Sequence, residues 1–321
     1  MRFVRALLIV NPNATSTTPA GRDLLAHALS SRAQLTVEHT THRGHAAELA
    51  AQARADGLGL VIVHGGDGTV NEAVNGLLGS PAPQATKAVA PGHVPPIAVV
   101  PGGSANVFAR SLGISPDPVD ATNQLIDLLT QGAQRRIGLA HCDNRWFTFN
   151  AGVGLDARVC EAVDARRRDG RPATPARYVR TAVRTFFRWK NAEPTLTVEV
   201  PDREPVEGVH YAFVSNASPW TYLNARQIHT NPEITYDTGL GVFAMKSTAI
   251  FTTLRVARQL LTPGALPSSK KLVRVNDVPS VRITASEPIG LQMDGDYIGL
   301  HETVEFVSVP DALDVVAPPQ P

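Results

Sequence analysis

The chain has 321 residues, 43% hydrophobic and 18% charged, with a formal net charge of +1 at pH 7. At about 150 residues per domain, this is the length of two domains, each large enough to bury a core. The apolar content excludes a disordered chain, the charge balance gives no footprint for nucleic acid, and 25 Gly and 25 Pro without a repeat period exclude collagen-like and solenoid classes.

Residues 3–10 form a short apolar run stopped by Asn11-Pro12-Asn13, the pattern of a first strand and not of a secretory leader. Leu24, Leu25, Ala28 and Leu29 give residues 20–29 helical spacing, and an extended segment at 35–40 precedes an Ala-rich helix at 46–55. A third apolar run, 58–63, ends in His64-Gly65-Gly66-Asp67-Gly68. Residues 69–78 then read as a helix, 79–96 as a Pro-rich surface insertion, 97–100 as a fourth strand and 105–112 as a helix. Short apolar strands alternating with helices predict a parallel sheet with helices on its faces. After about residue 135 the texture changes to Thr- and Val-rich alternation at 146–150, 195–200, 209–215, 241–245, 272–275, 281–285 and 303–307, interrupted by one helix at 176–190. The expected domains are therefore an α/β domain at 1–134 and a β-rich domain at 135–321, whose C-terminal segment can return to pack on the first.

Cys142 and Cys160 form neither a disulfide framework nor a zinc pair, which fits a reducing cytoplasm. No segment approaches the roughly 18–20 consecutive apolar residues that span a bilayer, so the expected membrane contact is peripheral, at the inner face. His39, His42 and His45 lack zinc-site geometry on any predicted element and read as surface or packing residues, whereas His64 abuts a glycine loop and could line a cleft.

The most informative stretch is 65–72, between a buried strand and a helix. Glycines let backbone amides approach phosphate oxygens, and the helix N-terminus adds partial positive charge. An aspartate in such a loop repels phosphate unless a cation stands between them, so Asp67 points to Mg²⁺. The plain alternative is a turn in which Thr69 caps the helix and Glu72 completes a capping box, which leaves Asp67 and two glycines unexplained. A second glycine loop, Pro101-Gly102-Gly103-Ser104-Ala105-Asn106, follows the strand at 97–100, and residues 11–15 and Thr40 follow the first two strands. Open α/β sheets bind ligands at this edge. Neither a P-loop nor a dinucleotide fingerprint is present.

The blocks 65–72 (GGDGTVNE), 101–110 (PGGSANVFAR) and 292–296 (QMDGD), in this order and spacing, resemble the signature blocks of the diacylglycerol kinase catalytic-domain superfamily, particularly its soluble bacterial lipid kinases. GGDGT alone is shared with NAD kinases and, in a near variant, with phosphofructokinases. The resemblance implies a Rossmann-like first domain of the phosphofructokinase and NAD-kinase type and a β-sandwich-like second domain. It further implies ATP and Mg²⁺ in the cleft between them, and transfer of the γ-phosphate to a lipid hydroxyl, foremost that of diacylglycerol. Around ATP it puts Asn11, Pro12, Asn13, Ala14, Thr15, Thr40, Gly65, Gly66, Asp67, Gly68, Thr69, Val70, Asn71, Gly102, Gly103 and Ser104.

By the same resemblance Asp67 and Asp294 organise the metal, and Asp67, Asp294 and Asp296 form the catalytic set. Here Asp296 replaces the family's usual Glu, so either Asp294 or Asp296 reaches the lipid hydroxyl. Residues 232–240 resemble a block that holds a structural metal in some members, but only Asp237 of its acids is retained, with Thr238 beside it. The rival readings are NAD kinase and a non-catalytic nucleotide- or lipid-binding regulator. Arg177, Arg180, Arg184 and Arg188 fall at helical spacing after Arg166, Arg167, Arg168 and Arg171. The stretch from Arg166 to Lys190 is thus either a patch for anionic membrane or the solvated face of an amphipathic helix. A homodimer is compatible with the sequence, and no nucleic-acid partner is expected.

Overall fold

The computed structural model describes residues 4–31, 33–87, 92–168, 175–189 and 193–319. The chain divides into two units: Met1–Leu139 with Asn144–Trp146 and Pro310–Pro321, and Ala140–Asp143 with Phe147–Val309.

The first unit runs β1 (Val4–Val10), α1 (Pro19–Ser30), β2 (Ala33–His39), α2 (His45–Ala55), β3 (Leu60–Gly65), α3 (Asp67–Leu78), β4 (Ile97–Pro101), α4 (Val107–Ser111) and α5 (Pro118–Gln131). The strands are parallel in the order β2-β1-β3-β4. Val10 pairs with both His39 and His64, and His64 with Val100, so the carboxyl ends of all four strands share one edge. Every residue of β3 and β4 is buried, which explains their continuous apolar runs. Beyond β4, Val315 pairs in parallel with Ile97, and the Val316 N–H donates to the Ile97 carbonyl at 2.9 Å. Arg136 ties this returning segment down, reaching the Asp311 carbonyl at 2.7 Å and the Asp314 carboxylate at 3.0 Å.

Helix α5 is an addition to the predicted elements. Its start is written in the sequence: the Asp117 carboxylate accepts from the amides of Val119 and Asp120, Pro118 occupies the first turn, and Gly132 at φ 65° ends the helix.

The remaining elements are β5 (Arg135–Cys142), β6 (Arg145–Phe147), β7 (Asn150–Val153), α6 (Leu155–Arg168), α7 (Pro175–Trp189), β8 (Leu196–Glu199), β9 (Val206–Val209), β10 (Tyr211–Ser215), β11 (Thr221–Leu223), β12 (Arg226–Ile228), β13 (Leu240–Met245), α8 (Ile250–Leu261), β14 (Leu272–Val278), β15 (Ser280–Met293) and β16 (Asp296–Val315). Within the second unit an antiparallel ladder runs β14-β13-β10-β7-β15-β16. Strand β15 changes partners along its length: residues 282–285 pair with β8 and residues 291–293 with β7. Its core gathers Phe147 and Phe306, edge to face at 5.9 Å, with aliphatic side chains from nine strands.

This half is β-rich, but it also contains α6 and α8, which the sequence reading left out. The polar run at the end of α6 and the adjacent Thr252 and Thr253 in α8 mask their helical period. No described helix is long and apolar enough to cross a membrane.

Helices α2 and α3 pack so closely that a Cβ on Gly76 would fall onto the Ala47 carbonyl. Gly→Ala inside a helix ordinarily gains up to about 1 kcal/mol. Here Gly76→Ala is expected to cost roughly 2 kcal/mol or more, read as a lower urea midpoint at unchanged m-value.

Candidate functional site

Helix α3 begins at Asp67, two residues earlier than its predicted start, because Gly66 takes the extended conformation of an N-cap (φ −88°, ψ 179°). Thr69 therefore lies inside the first turn. Its N–H donates to the Gly66 carbonyl at 3.0 Å, and its hydroxyl accepts from the Asn11 amide at 2.9 Å. The Thr69–Glu72 capping box is thus corrected: the cap is a glycine, and the Thr69 hydroxyl serves the loop after β1. Half-buried Asp67 accepts the Phe108 N–H at 3.1 Å through Oδ1, joining this loop to α4.

The two glycine loops meet backbone to backbone. The Gly102 N–H donates to the Gly65 carbonyl at 2.8 Å. A Cβ on Gly103 would sit 2.7 Å from the Gly66 Cα, and one on Gly102 would sit 3.1 Å from the Gly65 Cα. Asn106, at φ 49°, fixes the second loop by accepting from the Gly103 N–H at 2.9 Å and donating to the Gly103 carbonyl at 2.8 Å. Gly68 differs from these glycines, since a Cβ there would meet no atom within 4 Å.

The loop after β1 closes the same edge. The Asn11 carboxamide accepts from the Asn13 N–H at 3.0 Å, and the Ser16 N–H donates to the Gly102 carbonyl at 2.8 Å. His64 is buried under this loop, with Nδ1 3.1 Å from the Val100 carbonyl and Nε2 3.2 Å from the Thr17 hydroxyl. Burial lowers its pKa, which keeps the ring neutral, Nδ1–H donating and Nε2 accepting. Pro12, Asn13, Thr15 and Ser104 are exposed on this rim, Ala14 is half-buried, and the Thr40 N–H donates to the Val10 carbonyl at 2.9 Å. Two residues of the expected ATP set turn elsewhere. Val70 is a core side chain. The buried Asn71 carboxamide accepts from Arg145 at 2.8 Å and donates to the Trp146 carbonyl at 2.9 Å, with Asn75 alongside.

In the second unit, Asp294 (φ 49°) and Gly295 (φ 84°) make the turn between β15 and β16. Asp-Gly is the preferred pair for such a left-handed two-residue hairpin. The Asp294 carboxylate is buried and accepts four hydrogen bonds. Oδ2 takes the Thr148 N–H at 2.6 Å and its hydroxyl at 2.7 Å, and Oδ1 takes the N–H groups of Phe149 at 3.0 Å and Asn150 at 3.2 Å. Burial pushes its pKa up, against the pull of these donors toward the ionised form. Gln292 completes the turn: its Oε1 accepts the Gly295 N–H at 2.8 Å, while its Nε2 donates to Asp156 at 2.7 Å and Asn150 at 3.1 Å. Asp296, next along the chain, is half-buried.

Sequence reading missed Thr148, Asn150, Asp156 and Arg145, because their partners lie up to 146 residues away. Exposed Asp237 stands in a turn braced by Thr235 and Thr238. Among the described residues no group of three or more His, Cys, Asp or Glu side chains could hold a metal ion. Buried Cys142 has its thiol pushed up to about 12 by burial and by Asp143, far from a reactive thiolate.

Gly103→Ala is expected to lower the melting temperature by several degrees through its clash with Gly66, while Gly68→Ala leaves it unchanged or raised, both measured by calorimetry. Asp294→Asn turns an amide onto donors that now meet a carboxylate, and is expected to cost roughly 2–4 kcal/mol in urea unfolding.

Residues 5–142 match the family model of the diacylglycerol kinase catalytic domain. The chain is 26% identical to a "Probable lipid kinase YegS-like" protein of Chromohalobacter salexigens, over 97% of this chain and 92% of that protein. It is 34% identical to a diacylglycerol kinase of Bacillus subtilis, over 47% of this chain and 46% of that protein. The crystal structure of a diacylglycerol kinase from Bacillus anthracis has the same fold, with a TM-score of 0.72, 21% identity, and coverage of 99% of this chain and 98% of that one.

Proposed function

From the premise that the chain belongs to the diacylglycerol kinase catalytic-domain superfamily, we propose that it is an ATP-dependent lipid kinase transferring the γ-phosphoryl group to a lipid hydroxyl, with diacylglycerol as acceptor and phosphatidic acid as product. The observation that carries this reading is the double glycine cradle at the carboxyl ends of β3 and β4, followed by the N-terminus of α3. Helix N-terminal amides and bare glycine backbone suit phosphate oxygens, and the open space over Gly68 suits a group that must approach the main chain. We also read the first unit as Rossmann-like in the phosphofructokinase and NAD-kinase manner, and the second as sandwich-like.

The residues fit Mg-ATP. A magnesium ion keeps most of its waters and needs one or two carboxylates, so a single Asp67 beside the phosphate cradle suffices without a dense acidic cluster. ATP supplies the phosphoryl group and Mg²⁺ neutralises charge on its oxygens. The protein's own residues then divide the work. The loop amides and the first turn of α3 bind the phosphates, with Asn11 and Thr69 holding the loops in register. Asp67 would hold the hydrated metal. Asp294, saturated by four donors, positions the hairpin, and half-buried Asp296 takes the proton of the acceptor hydroxyl. Asp237 has too few carboxylate neighbours to be assigned a metal.

The protein is further read as cytoplasmic and peripheral to the inner membrane face. Support comes from exposed Arg180, Arg184 and Arg188 on α7. Arg171 and Lys190 of the same basic stretch lie outside the described residues.

The test is transfer of label from γ-labelled ATP in the presence of diacylglycerol micelles, sphingosine, monoacylglycerol or NAD. Labelled phosphatidic acid is expected; labelled NADP, or ATP binding with no product, overturns the reading. Asp67→Asn and Asp296→Asn are each expected to lower kcat at least about 100-fold at unchanged melting temperature. Wild-type kcat in either variant removes that residue from the assignment.

A further inference from the structure

Helix α8 presents a second apolar face where an ordinary surface helix has one. Its inward side is already satisfied: Val256 is buried, and with Leu260 it packs against Tyr211, Phe243 and Met245. On the outward side Phe251 is 90% exposed, Leu254 61%, Leu261 43% and Ile250 37%, and Leu266 just beyond is 53% exposed. At about 100° per residue, Ile250, Leu261, Leu254, Arg258, Phe251 and Arg255 fall, in that order, within one arc of roughly 140°. Isolated exposed apolar residues are unremarkable on a protein surface, but a contiguous set on one helix marks an interaction site.

The charge around this face selects the occupant. Residues 238–276 contain six Lys and Arg and no Asp or Glu, in a chain whose total is only +1. Arg255 and Arg258 are exposed on the apolar arc itself, and Lys246, Lys270 and Lys271 are exposed beside the helix in sequence. Arg226 holds the helix end, donating to the Leu261 carbonyl at 2.8 Å. Cations without a single acid over this stretch call for an occupant that is anionic as well as apolar. Large apolar side chains alternating with arginines suit the boundary between acyl chains and anionic headgroups, where the hydrocarbon enters and each guanidinium stays at phosphate level.

We propose that the outward face of α8 is a membrane-docking surface, with Phe251 and Leu254 entering the acyl layer of an anionic phospholipid bilayer and Arg255 and Arg258 engaging its phosphates. The choice of a bilayer rests on the lipid-acceptor reading of the enzyme. It shares no residue with the arginine run of α7 or with the glycine loops.

The test is co-sedimentation of the whole chain with phosphatidylglycerol–phosphatidylcholine vesicles and with pure phosphatidylcholine vesicles. Wild type is expected to partition onto the anionic vesicles in a salt-dependent way. The double variant Phe251→Ser/Leu254→Ser is expected to lose at least about tenfold in partition. Arg255→Gln/Arg258→Gln is expected to lose about 25-fold at low salt, roughly fivefold per cation, and to flatten the salt dependence. Unchanged melting temperatures verify that both variants fold, and a Phe251→Trp variant is expected to be quenched by brominated acyl chains.

Wild-type partition in both double variants, no vesicle binding by the wild type, or an unquenched tryptophan at 251 overturns the proposal. So does a dimer in light scattering that Phe251→Ser/Leu254→Ser dissociates while vesicle binding is untouched, which would make a second copy the occupant. Vesicle binding that depends on α8 in a protein that phosphorylates no lipid overturns the kinase reading alone; lipid phosphorylation with vesicle binding indifferent to α8 overturns this inference alone.

Discussion

The approach of two bare backbones sets the geometry of the first unit. Gly65 and Gly66 press against Gly102 and Gly103 closely enough that a single added carbon on Gly103 would stand 2.7 Å from the next loop. Parallel strands make this approach available, because β3 and β4 end level with each other, His64 opposite Val100 and Gly65 opposite Pro101. Neighbouring groups are arranged around it: the Asn106 clamp on Gly103, the Ser16 N–H on the Gly102 carbonyl, and the Asp67 link to Phe108. The glycines therefore fall into two kinds. Gly66, Gly102 and Gly103 are required by the protein's own packing, whereas Gly68 satisfies no internal steric need.

The second unit solves a different problem, the burial of polar groups. Asp294 lies at the centre of a network that gathers the amides of residues 148–150, the Thr148 hydroxyl, Asn150, Gln292 and Asp156 in a low-dielectric interior. Such a network stabilises only when each member is satisfied, and the carboxylate here receives four donors. The same network separates the two acids of the hairpin. Asp294 is buried beneath four donors, and Asp296, two residues on, keeps a half-buried side chain.

Legibility in the sequence followed the range of the interactions. The alternation of strand and helix up to residue 112 was readable because hydrophobic period and Gly/Pro punctuation are local. The glycine loops were readable for the same reason. Helix α3 begins earlier than Thr69 suggests, since a glycine in extended conformation can hold the N-cap position without a side-chain acceptor, and only the fold brings Asn11 to claim the Thr69 hydroxyl. Asn71 looked like part of a phosphate loop until Arg145 and Trp146, more than 70 residues away, occupied its carboxamide. Helices α6 and α8 were hidden because each deviates from the one-faced pattern that sequence reading looks for. The outward apolar arc is what distinguishes α8 in the structure.

The pairing of Val315 and Val316 with Ile97 also has a bearing on how the protein is made. A ribosome extrudes the four strands of the first unit's sheet early, yet residues 310–319, which complete its edge, emerge only after the entire second unit. Until then Ile97 has an open hydrogen-bonding flank, and unpaired strand edges are templates for association. Loss of residues 310–319 would therefore injure the unit synthesised first. A nascent chain must protect that flank through the translation of more than half its length.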